Sequence, residues 1–87
     1  MSYRSQEEFV YKSIDEASYL LTGSRIDSSN LVYFLGRNGR DIHGIRVEVP
    51  KSIPLAQWQK NKVREFEKKV NDLFEDLMAN SRTRQSA

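Results

Sequence analysis

A chain of 87 residues with no cysteine and one histidine makes one domain and excludes stapling by disulfides or by zinc. Apolar residues are 38% and charged residues 30% of it, a folded, soluble but lean composition whose stability gains from self-association. The net charge is +2, built from two positive and four negative side chains in residues 1–22, five and three in 23–53, and seven and five in 54–87; this excludes a histone-like basic protein and leaves nucleic-acid affinity to local patches.

The opening stretch MSYRSQEEF has no apolar h-region, and no apolar run in the chain approaches the ~20 residues of a membrane span. Together with the missing cysteines this predicts a cytoplasmic protein with no membrane contact. Ser5-Gln6-Glu7-Glu8 reads as a capping box. The helix it starts is expected over about 6–22, with Phe9, Val10, Ile14, Ala17, Leu20 and Leu21 on one stripe. Gly23 follows as a left-handed C-terminal cap.

Residues 24–30, SRIDSSN, are linker and turn chemistry. LVYFLGRNGRDIHGIRVEV, residues 31–49, then reads as two strands joined at Asn38-Gly39, a pair suited to a type I′ turn. That turn sets Phe34 opposite His43 and Val32 opposite Ile45. Val32, Phe34, Ile45, Val47 and Val49 then form the core face, and Leu31, Tyr33, Leu35 and Ile42 share the outer face with Gly44, Arg46 and Glu48. A three-residue loop with a bulge would shift this register by one.

Pro50 ends the second strand. Ser52 and Pro54 suit the start of a second helix, expected over about 53–80. Its stripe is Leu55, Val63, Phe66, Val70, Leu73, Phe74 and Leu77, with Trp58 at the edge. The domain is thus 1–80, with a flexible tail over 81–87.

The fold expected is α+β, helix–β-hairpin–helix (αββα), with both helices across the core face of the hairpin. At 1.5 Å per residue the second helix spans ~40 Å and the first ~26 Å. The overhang, carrying Leu73, Phe74, Leu77 and Met78, needs cover, and a second copy supplies it as a homodimer or higher oligomer. The competing arrangement breaks the helix at residues 59–62 and folds it back to close a monomer.

Three function classes are open. Catalysis has little to stand on: His43 has no nucleophile beside it by local motif, and GRNGRDIHG lacks the spacing of a phosphate loop and the helix that should follow. No cofactor or metal is implied. For nucleic acid, Arg37 and Arg40 at the hairpin tip, with Arg46 and Arg25, offer a phosphate-contacting ridge, and Tyr33 a stacking surface. For protein contacts, Leu31, Tyr33, Leu35 and Ile42, with Trp58, Phe74 and Leu77, leave an apolar surface of the kind that marks an interface.

Thr22-Gly23-Ser24-Arg25, together with the element order, resembles the small head–tail joining proteins of lambdoid phages, whose first helix can end in a Thr-Gly-x-Arg turn. Here the linker and the second helix are longer, so register and role do not carry over. A phage-type structural or host-modulating protein is the third reading. The leading expectation is a non-catalytic regulatory or adaptor protein acting through protein contacts and self-association, with an arginine-bearing nucleic-acid binder as the alternative.

Overall fold

The computed structural model describes residues 3–86, and the side chains of residues 6–81. Helix α1 spans Tyr3–Ala17 and tightens into a 3-10 turn at Ser18–Leu21. A second 3-10 turn, Ser28–Asn30, precedes strands β1 (Val32–Asn38) and β2 (Asp41–Glu48), and helix α2 (Gln57–Ser86) closes the chain. The architecture is the expected α+β helix–hairpin–helix. Among the described residues no helix is long and apolar enough to cross a membrane.

α1 starts ahead of the expected cap, so Ser5 lies within the helix; its side chain is outside the described residues. The stripe facing the core is Gln6, Val10, Ser13, Ala17 and Leu21, all buried, with Phe9 and Ile14 packed against it. Ser13 settles its hydroxyl by donating to the Phe9 carbonyl at 2.7 Å, the i−4 bond open to a mid-helix serine. Gly23 takes the left-handed conformation expected of a cap (φ +83°), and Arg25 also does so (φ +66°). Between them the buried Ser24 hydroxyl bonds to the Leu21 carbonyl and accepts from the Ile26 N–H.

α2 begins at Gln57 rather than near 53. Ile53 N–H closes a turn onto the Pro50 carbonyl, and a residue before proline is driven away from helical backbone. The cap is built instead on Ala56, whose N–H donates to Gln59 Oε1 at 2.9 Å, half of a capping box. Gln59 Nε2 donates to the Ser24 carbonyl at 2.8 Å and ties this end of α2 to the end of α1. The helix is unbroken through residues 59–62, so the fold-back arrangement does not occur. Its 30 residues span ~45 Å, which sets the 47 Å long axis of the molecule.

The hairpin register differs from the expected one. Only Gly39 in the turn has positive φ, the mark of a type II′ rather than a type I′ turn, and Asn38 pairs with Asp41. After Arg37↔Ile42 the pairing jumps to Gly36↔Gly44, leaving His43 as the extra residue of a bulge. Turn and bulge together shift β1 by an odd number of places, and each odd shift turns a strand over. Phe34 therefore faces Arg46 and Val32 faces Glu48, while Tyr33 pairs with Val47 and Leu35 with Ile45.

This register turns more of the hairpin's apolar side chains inward than the expected one. Leu31, Ile42, Ile45 and Val47 enter the core with Val63, Phe66, Val70, Phe74 and Met78, and Tyr33 and Leu35 pack against it. Only Val32 and Phe34 are left outside, at 40% and 47% exposure. Phe74 and Met78, expected on an uncovered overhang, are buried because they lie beside Ile42 at the hairpin tip.

Candidate functional site

The hairpin has two faces and two edges, and its surroundings treat the two faces and the β2 edge differently. The inner face is closed by the helices. Tyr33 meets Phe66 edge-on at 6.4 Å between ring centroids, and its hydroxyl donates to the Ser28 carbonyl at 2.6 Å. Burial pushes the Tyr33 phenol up to about 12, because desolvation penalises the phenolate. A phenol raised above its unfolded value of about 10 stabilises the fold fully below pH 10, and that contribution is lost as pH rises through about 12. We expect an alkaline titration followed by tyrosinate absorbance to show a step near pH 12 that is missing in Tyr33→Phe. Complete titration of every phenol by pH 11 would contradict this packing.

The outer edge of β2 is covered by side chains. Ile45 N–H donates to Asn71 Oδ1 at 2.9 Å, and Asn71 Nδ2 returns a bond to the Ile45 carbonyl at 2.8 Å. Val47 N–H donates to Glu67 Oε2 at 2.8 Å. At the tip, Ile42 N–H donates to Gln6 Oε1 at 2.9 Å, while Gln6 Nε2 donates to Asp41 Oδ1 at 3.0 Å. These side chains imitate a third strand, so the edge has no free row of donors to offer. Gln6, Glu67 and Asn71 were invisible as a group in the sequence. The one trace is the polar pair Glu67 and Asn71, an i,i+4 couple lying against the apolar stripe of α2.

The outer face carries the exposed side chains Val32 and Phe34 with Arg46 and Glu48. The Arg46 guanidinium stands 5.2 Å from the centre of the Phe34 ring and is 3.4 Å from Glu48. Gly36 and Gly44, paired across the strands, leave a shallow open depression beside Phe34 that reaches to Glu67 and Asn71. This face was expected to carry Leu31, Tyr33, Leu35 and Ile42. The flip of β1 takes Leu31 into the core and leaves Tyr33 and Leu35 half-buried on the inner side, and the bulge at His43 turns Ile42 of β2 inward with them. Phe74 is core and Leu77 half-buried. Trp58 remains outward at 52% exposure, in the first turn of α2.

The arginines are not gathered into one ridge. Arg37 belongs to the inner side of β1, 3.6 Å from Glu7 of α1, while Arg46 is on the outer face. Arg25 sits beside Ser24 at the end of the molecule where α2 begins, about 20 Å along the helix axis from Phe74 and the tip. Arg40 lies in the turn between the strands. His43 is exposed on the bulge. Among the described residues no group of three or more His, Cys, Asp or Glu is placed to hold a metal ion. Comparison with protein-family models, with curated proteins and with solved structures gave no match.

Proposed function

We propose that the protein is a non-catalytic binding module, acting through protein–protein contacts with its own copies and with a partner seated on the outer face of the hairpin. The observation that carries this reading is the outward placement of Phe34 and Val32 with Arg46 laid over the ring. Aromatic side chains and arginine are the types enriched in interface cores, and a rigid ribbon holds them at little cost in conformational entropy. The more buried polar side chains support a structural rather than a chemical use: Gln6, Ser13, Ser24, Glu67 and Asn71 are each bonded to backbone groups.

The test is affinity purification from the native host with the full chain as bait, beside the double variant Phe34→Ala/Arg46→Ala. Both side chains are exposed, so circular dichroism should match the wild type. Proteins recovered by the wild type are expected to disappear with the double variant, and their undiminished recovery overturns the outer-face assignment. A low-salt mobility shift with DNA or RNA, removed by Arg37→Ala/Arg40→Ala and kept by the outer-face variant, overturns the reading in favour of nucleic acid.

A further inference from the structure

The two edges of the hairpin are unequal. Ile45 and Val47 direct their N–H groups away from β1, toward Asn71 and Glu67. In an antiparallel ladder the residues opposite them are then non-hydrogen-bonded pairs, and their own N–H and C=O groups point to the far edge. Those residues are Leu35 and Tyr33. No described residue bonds to the backbone of either. β2 is therefore closed by α1 and α2, while β1 ends the sheet on an open edge.

Beneath that edge the side chains of Val10, Tyr11 and Ile14 on α1 and Tyr33 and Leu35 on β1 line a groove, with Glu7 and Arg37 at one end. Tyr11 is 66% exposed there. Devices that keep an edge from pairing are charged side chains, proline and inward-pointing charge. LVYFLG, residues 31–36, has none of them; the one charged side chain of β1, Arg37, stands at the end of this run, where it meets Glu7 of α1.

We infer that a second copy of the chain occupies this edge: β1 pairs antiparallel with β1 of the other copy, the two-fold axis passing at Phe34. This rests on the self-association half of the reading above and names its geometry. An isologous contact requires a self-complementary surface, and an edge whose donors and acceptors fall at Tyr33 and Leu35 meets its own copy with Tyr33 opposite Leu35 twice over. The same placement sets Val32 against Gly36 and centres the whole of Leu31–Arg37 on itself. No charge lies between residues 31 and 36, so the two copies meet without like-charge repulsion. The strand edge is ~24 Å long. A specific interface buries ~800 Å² on each side, so the α1 wall below the edge must contribute beside the strand pairing. The product is a four-stranded sheet that puts both Phe34 rings side by side on one continuous outer face.

Three measurements on the purified full chain test this. Sedimentation equilibrium of the wild type is expected to give a dimer; a monomer at every concentration overturns the self-association reading and this geometry with it. An N-methyl group on the Leu35 amide of a synthetic full chain keeps every side chain but blocks the edge. It is expected to yield a folded monomer, and a persisting dimer overturns the edge pairing alone. The third uses single cysteines in a chain that has none. Phe34 faces its own copy in a non-hydrogen-bonded pair, with Cα atoms about 4.5 Å apart, so Phe34→Cys should crosslink nearly completely under mild oxidation. Val32→Cys places the thiols about 14 Å apart and should not. The reverse pattern overturns the position of the axis.

Discussion

Phe66→Ala is expected to destabilise the fold by about 3–5 kcal/mol, whereas Phe34→Ala costs no more than about 1 kcal/mol. Phe66 is fully buried on α2, and its ring is the floor against which Tyr33 packs edge-on. Alanine there removes the ring and leaves a cavity in the middle of a small core. Domains of this size hold only a few kcal/mol in reserve, so the variant should be largely unfolded at room temperature. Phe34 is nearly half exposed and loses chiefly the Arg46 contact. Urea denaturation of the two variants beside the wild type measures the difference. Equal losses would mean that Phe34 faces the core and that β1 is turned over.

That pair of variants marks the place where the sequence is least legible. The helices could be read from their 3.6-residue periodicity, because Val10, Ala17 and Leu21, or Val63, Phe66, Val70 and Phe74, leave one stripe and no rival to it. Gly23 could be read because only a left-handed cap explains a glycine after Leu20-Leu21-Thr22. The hairpin could be located but not registered. Leu31–Leu35 is an unbroken apolar and aromatic run, so alternation does not say which side goes in. The Asn38-Gly39 pair points to a turn one residue earlier than the one that forms, and a bulge at His43 leaves no mark in composition. An odd shift in register then exchanged Tyr33 and Leu35 for Val32 and Phe34, and with them the surface offered to a partner. The capping of β2 was illegible for another reason: Gln6, Glu67 and Asn71 act on backbone groups distant in sequence, and their role follows from where the helices rest.

Asn71 and Glu67 are the α2 side chains that make the two edges differ. Asn71→Leu keeps the size of the side chain and removes both bonds to Ile45. An N–H and a carbonyl left without partners beside α2 cost about 1–3 kcal/mol, and the urea midpoint should fall accordingly. The larger consequence is for assembly. A chain with one open edge pairs once and stops, because the two-fold contact uses that edge up. A chain with two open edges has no such stop, and heterologous strand addition continues into open-ended species. Glu67→Leu/Asn71→Leu, which uncaps both Val47 and Ile45, is therefore expected to pass beyond a dimer on concentration, its mean mass by light scattering rising without a plateau. Glu67→Gln retains an acceptor for Val47 N–H and should hold the wild-type mass. A Glu67→Leu/Asn71→Leu variant as stable as the wild type, with an unchanged mass, would show that α2 guards nothing at this edge.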